Sequence, residues 1–370
     1  MQNESTDLIV VGAGIVGLAH AAEAVARGLR VTVVERDERA VGASVRNFGH
    51  ICATAQGGEA YDYAQVARPQ WIKLGELAGF EVQQHGTVVV ARSAAELAVL
   101  EEFAAARGSA EVQLLDARAV RDRFAPATDE VIGGAHLPLD LRVSPLDAVP
   151  ALAAWLQSQG VTFRWAEQVG AISPCSVHTS RGVLTAPYVV HAVGHDLDRL
   201  FPAIAEEYGV RRCRLQMLEV APPGEARIAP GVLTGTSLLR YGGLAEQPSA
   251  AAVRVELERD HPELLDVVMN LMLTQRPDGS IVLGDTHHYD RTHPPFDDED
   301  VADLVLREGA RLLGAGLTIR RRWRGIYADS PQTDFVVAAP HPGTRVVAIT
   351  SGIGMTTALG LAPAVLDRLL

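Results

Sequence analysis

Three glycines set the first chemistry. Gly12, Gly14 and Gly17 form G-x-G-x-x-G directly after the apolar run Leu8-Ile9-Val10-Val11, and Ile15 and Val16 open a helical pattern that Gly28 closes. A tight turn at Gly12, bare backbone at Gly14 and close helix–strand packing at Gly17 let a pyrophosphate reach a helix N-terminus. Glu35, followed by Arg36, ends a second apolar run, Val31 to Val34, where a carboxylate accepts hydrogen bonds from a ribose. An acid there disfavours a 2′-phosphate, so FAD or NAD is expected over NADP. Two arginines, Arg46 and Arg240, could clamp an anion with the planar guanidinium fork. His287 and His50 could hold an amine or take a proton near neutral pH, and Tyr327 could line a substrate site.

The elements that must position these groups follow from local signals. Strand, glycine turn, helix and strand over residues 8–34 make a βαβ unit, the building block of a parallel sheet. Ser93-Ala94-Ala95-Glu96 is a capping box before a helix ending near Gly108, Asp116 caps a short helix, and Ser144-Pro145 starts another that Gly160 follows. Strands are expected at Val161 to Phe163, Val177 to Thr179, Tyr188 to Ala192, Leu215 to Val220, Ser280 to Leu283 and Arg345 to Thr350. Helices are expected at Asp297 to Leu313 and Gly354 to Leu370. The βαβ-type pieces sit at both ends with β-rich material between them, so two domains share the chain discontinuously.

Composition excludes several classes. With 48% hydrophobic and 21% charged residues the chain of 370 residues is globular, not disordered. A net charge of −12 argues against nucleic acid as the main partner. No apolar run approaches the roughly 20 residues of a membrane span. The polar opening Met1 to Asp7 lacks a signal-peptide pattern, and the cysteines Cys52, Cys175 and Cys213 are few and scattered, so a reduced, cytoplasmic setting is expected. His287, His288 and His293 lack a Cys or Glu partner at ligand spacing, so no metal is expected, and His20 reads as helix packing.

Further segments carry a family resemblance. Tyr188 to His195 is a strand ending in Ala192-Val193-Gly194, Gly42-Ala43-Ser44-Val45-Arg46-Asn47-Phe48-Gly49 matches G-x-S-x-x-N-x-G, and Gly352-Ile353-Gly354-Met355-Thr356 precedes the last helix. In this order, over almost the whole chain, they resemble the D-amino-acid-oxidase-like superfamily of FAD-dependent amine oxidoreductases, which includes sarcosine and glycine oxidases. Val193 stands where members have Thr in A-T-G. The resemblance implies an α/β fold: a Rossmann-like FAD-binding domain over residues 1–85, 143–214 and 325–370, and a substrate domain with a mixed, largely antiparallel sheet and helices over 86–142 and 215–324. It places Ser44, Arg46, Asn47, Phe48 and Gly49 along the FAD pyrophosphate toward the flavin. Ala192, Val193 and Gly194 lie against the cofactor, and Gly352, Ile353, Gly354, Met355 and Thr356 aim a helix N-terminus at the flavin. Val169 and Gly325 also fall to the cofactor.

Trp323-Arg324-Gly325-Ile326-Tyr327 resembles the family strand W-x-G-[LI]-R-P, in which the arginine clamps a substrate carboxylate; here Tyr327 takes that place. Gly325 stands where sarcosine-oxidase-like members carry a cysteine covalently bound to flavin, so non-covalent FAD is expected. Val282 stands where those members place a lysine for oxygen activation, and Lys73 is the only lysine of the chain. The electron acceptor, O2 or another, therefore stays open, as does the oligomeric state. The segment Ala43 to Gly49 resembles a bacterial clade encoded beside phosphonate-breakdown genes, which implies an aminoalkylphosphonate or its N-methyl derivative as substrate. The expected function is oxidation of a small amine carrying an anionic group, by deamination or N-demethylation. The alternatives are an amino-acid or sarcosine-type oxidase or dehydrogenase, and a catalytically silent FAD-binding component of a complex. Arg46 is the first candidate clamp, its other reading being an acid pair or an FAD phosphate contact, and Arg240 is the second. Arg320-Arg321-Arg322 and Arg324 read as a solvated strand end.

Overall fold

The computed structural model describes residues 6–370; residues 1–5, where the polar opening without a signal-peptide pattern begins, lie outside the described residues. Six strands form the first sheet, in the order Phe335–Ala338, Thr344–Ile349, Tyr188–His191, Leu8–Val11, Val31–Val34, Thr162–Arg164. Leu8–Val11 pairs in parallel with both neighbours, and only Phe335–Ala338 runs antiparallel. Alternation divides its side chains between two cores. Leu8 and Val10 face the helices Ile15–Ala26, Pro145–Ser158, Gly58–Ala78 and Gly354–Asp367. Ile9 and Val11 face a small antiparallel sheet, Val169–Ser173, Ser176–Thr179 and Gly182–Thr185.

A nine-stranded sheet makes the second layer. Its centre runs Arg211–Val220, Ile281–Gly284, Met272–Gln275, Gly231–Leu233, Thr87–Ala91, and every pairing is antiparallel except that of Gly231–Leu233 with Thr87–Ala91. One face packs on the amphipathic helix Glu299–Leu313 through Leu218, Val220, Ile281 and Leu283. The opposite face, with Leu215, Met217, Met272 and Val282, carries the helix Ala94–Arg107 and meets Phe48 of the nucleotide layer. The boundaries expected at 214/215 and 324/325 fall inside Arg211–Val220 and Ile319–Asp329, which pair along most of their length as one ribbon. A strand is cut where its hydrogen bonds stop, and local composition does not mark that point here.

Candidate active site

One cavity of about 830 Å³ runs between the two large sheets. At its nucleotide end, Gly12 has φ +105°, and a Cβ there would stand 2.5 Å from the Ala192 carbonyl oxygen. Glu35 Oε2 accepts from the Ala13 N–H at 2.8 Å and Oε1 from Asp37 N–H at 3.1 Å, which pins the carboxylate beside the turn. Arg36 donates to Asp196 at 2.7 Å. Ser44 Oγ accepts from the Ile15 N–H at 2.8 Å and keeps its own hydrogen to give. Asn47 is spent on its loop: its amide nitrogen donates to the Ala43 and Ser44 carbonyls, and its oxygen accepts from Gly49 N–H at 2.7 Å.

At the other end Gly352, with φ +77°, lets the chain pass Tyr327, whose ring carbon Cζ a Cβ would approach to 3.0 Å. The helix Gly354–Asp367 then starts without a side-chain cap. Opposite it, Arg240 Nη2 donates to Tyr327 Oη at 2.9 Å and to the Ser351 carbonyl at 3.0 Å. Burial works against the charge of Arg240, but Tyr327, Tyr289 and Asp285 more than offset it, and its pKa is raised. Among the described residues no carboxylate comes within ion-pair distance of it. Burial pushes the Tyr327 and Tyr241 hydroxyls well above their usual range. His287 is held at about 3, first by burial and then by Arg240, so it is neutral; its Nδ1–H donates to the Val268 carbonyl at 2.9 Å.

A family model described as FAD dependent oxidoreductase matches residues 7–368. The chain belongs to this family, known as DAO. Gamma-glutamylputrescine oxidoreductase of Escherichia coli is 29% identical over 231 residues, covering 55% of this chain and 53% of that protein. The chain thus matches about half the length of that relative. An opine oxidase component from Agrobacterium tumefaciens, one of the subunits of that enzyme, is 22% identical across 94% of the chain and 89% of its own length. Among solved structures, L-proline dehydrogenase from P. horikoshii superposes with a TM-score of 0.81 at 20% identity, over 98% of this chain and 93% of its own, which shows a shared fold.

The DAO wall fits FAD. Gly12, Gly14 and Ser44 leave backbone and a hydroxyl free for a pyrophosphate, and buried His191 in the same wall has no partner for either ring nitrogen among the described residues. The lining also includes Ile15, Val16, Glu35, Arg36, Phe48, Val169, Ala192, Val193, Gly194, Gly325, Ile353, Gly354, Met355 and Thr356. Gly17 and Gly49 stand behind it. A Cβ at Gly17 would press on the Gly12 carbonyl and one at Gly49 on the Val143 carbonyl, so both shape the wall without touching its contents.

Tyr327, His287, His50, Arg46 and Arg240 all line the cavity, but unequally. Arg46 is exposed at the rim, its Nη1 3.5 Å from the Arg324 carbonyl, while Arg240 is the cation set inside. His50 is turned into the wall, Nε2 2.6 Å from Thr87 Oγ1 and 3.5 Å from Asp140. His287 is buried and its neighbour His288 exposed, as alternation requires. Arg320, Arg321 and Arg322 point to solvent, and Val282 is packed in the core. Lys73 lies exposed on the helix Gly58–Ala78. Sequence reasoning missed Asp285, Asn270 and Tyr241. Asp285 was legible only as the polar residue after a buried strand, and the other two gave no signal.

Proposed function

We propose that this DAO protein oxidises a small amine whose anionic group is held by Arg240, an aminoalkylphosphonate or its N-methyl derivative. The observation that carries the reading is a half-buried, protonated guanidinium whose hydrogen-bond partners among the described residues are both neutral, Tyr327 Oη and the Ser351 carbonyl, facing the cofactor cavity. Among the described residues no carboxylate is within ion-pair distance of this cation, and a planar fork pairs two oxygens of a phosphonate. Arg46 at the rim supplies a second positive charge on the way in. Tyr327 stands in place of the family's arginine and orients Arg240, so the anion site moves to the opposite wall.

FAD bound in the cavity would supply the oxidant, a hydride acceptor for the carbon beside nitrogen. The chain's own residues orient that carbon: Arg240 fixes the far end of the substrate, and Tyr241, Met272 and Tyr327 shape the space around the amine. Residue 325 is glycine and offers no thiol, which supports FAD held without a covalent bond through that position. The three free cysteines support a reduced, cytoplasmic setting. Among the described residues no helix is long and apolar enough to cross a membrane.

The test is the visible spectrum of the holoprotein under anaerobic conditions with N-methyl-2-aminoethylphosphonate, 2-aminoethylphosphonate and sarcosine. Fast bleaching by a phosphonate is expected. Faster bleaching by sarcosine moves the substrate to the carboxylate class, to which the amino-acid names among the relatives belong. A flavin that no amine bleaches leaves a silent component of a larger complex, the role to which the multi-component opine oxidase relative points.

A further inference from the structure

We propose that Asp285 takes the proton from the substrate's ammonium, so that the nitrogen reacts as a free amine; this rests on the amine-oxidation reading above. The carboxyl is buried in the cavity wall beside Arg240. Its main chain is fixed by paired bonds with Asn270, N–H to carbonyl in both directions at 2.9 Å. Ser237 Oγ donates to Asn270 Oδ1 at 2.7 Å, which leaves the Asn270 amide nitrogen to donate to Asp285 Oδ1 at 3.2 Å. The asparagine is thereby oriented, and through it the carboxylate. Among the described residues Oδ2 has no protein partner, and Asp285 lines the cavity.

The groups that face Asp285 are the Arg240 guanidinium, the His287 ring with Nε2 4.0 Å from Oδ1, the Cys213 thiol and the Tyr241 hydroxyl. None of these four changes charge near neutrality. Arg240 stays protonated and His287 stays neutral. Burial pushes Cys213 up to about 12 and Tyr241 well above its usual range. Asp285 is the exception: burial raises it to about 7, against the opposing pull of Arg240 and the Asn270 bond. A base works best when its pKa lies near the working pH. An ammonium bound between Asp285 and an anion on Arg240 also matches both ends of a zwitterion.

The step balances. The N–H bond of the ammonium breaks, its electron pair stays on nitrogen and the proton goes to Asp285 Oδ2. The carbon beside nitrogen then loses hydride to the oxidant of the proposed reaction, FAD, leaving an iminium. Water hydrolyses the iminium to an aldehyde and an alkylammonium or ammonium ion, which carries the iminium's positive charge, and the carboxylic acid releases its proton to solvent.

The experiment is anaerobic rapid-mixing reduction of the holoenzyme from about pH 5.5 to 9.5, with N-methyl-2-aminoethylphosphonate and sarcosine as probes. Wild-type second-order reduction rates should rise through a midpoint near 7 and level off. Asp285→Asn should lose that midpoint, fall about a hundredfold or more at neutral pH, and climb instead toward the ionisation of the amine itself. Asp285→Glu should restore a midpoint. Methylphosphonate affinity, read from the shift of the flavin band, should stay within about threefold in both variants, since Arg240 is untouched. Asp285→Asn that keeps the midpoint, or that loses methylphosphonate binding along with rate, overturns the assignment while leaving amine oxidation standing. If neither probe bleaches the wild type, the amine reading falls and this assignment with it.

Discussion

Replacing Arg240 by methionine keeps the volume of the side chain and deletes its charge. In the free protein two bonds to neutral partners disappear, those to Tyr327 Oη at 2.9 Å and to the Ser351 carbonyl at 3.0 Å. Bonds to a charged group are worth about 1.5–3 kcal/mol each, partly returned by relief of desolvation. Binding loses a charge pair as well. Truncating one partner of a buried, hydrogen-bonded charge pair costs about 2–5 kcal/mol. A mid-range loss of about 3 kcal/mol is roughly a 150-fold rise in Kd at 1.4 kcal/mol per decade. The assay is titration of the holoenzyme with methylphosphonate, followed by the shift in the flavin band, and in parallel the amine dependence of anaerobic bleaching. Arg240→Lys should fall between, because an ammonium cannot match the two-oxygen fork. A methionine variant with a normal flavin spectrum and a Kd within about threefold of wild type would refute the placement of the anion on Arg240.

Arg46→Ala should raise the methylphosphonate Kd by less than about tenfold, because an exposed arginine at the rim acts through a screened field; the same titration checks it. Gly12→Ala forces a Cβ to 2.5 Å from the Ala192 oxygen at φ +105°, so the ratio of flavin to protein absorbance should drop sharply and Tm should fall with it. His20 is fully buried and its pKa falls from 6.5 to about 4 by desolvation, against the bond to the Val16 carbonyl. Stability from this group is complete above pH 6.5 and drains as pH falls toward 4, by about 1.4 kcal/mol per pH unit. His20→Leu should flatten the decline of the urea midpoint across that window, and an unchanged slope would count against it.

The nucleotide half was legible because its signals are local. Strand, glycine turn and helix lie consecutively from Leu8 to Ala26. In the other half only the local helix caps were as plain, Ser93 and Asp116 accepting from the Glu96 and Ala119 N–H groups. The long helix Gly58–Ala78 was not expected, since Pro69 and Gly75 interrupt its pattern. Tertiary contact explains the glycine: a Cβ at Gly75 would meet Val82 Cγ2 at 2.5 Å, so the next strand packs directly on the helix. The substrate half was legible only in part. Arg240, Asn270, Asp285 and Tyr327 come from four separate segments; the pairing of Arg211–Val220 with both Ile281–Gly284 and Ile319–Asp329 draws Asp285 and Tyr327 together, and Asn270 joins them through its main-chain bonds to Asp285. Burial alone turns Asp285 from an ordinary acid into a group near neutrality, and burial at a single residue leaves no trace in spacing.

The strand order of the parallel sheet also says when the site can first exist. Leu8–Val11 is made long before its inner neighbour Tyr188–His191, which in turn needs Thr344–Ile349 beside it. The helix that closes the flavin end begins only at Gly354. A nascent chain therefore carries the glycine turn with half its sheet missing until Thr344–Ile349 is made, and exposed strand edges of that kind invite mispairing. Cofactor capture is a late event for this polypeptide, and bound FAD would then favour the native state by mass action.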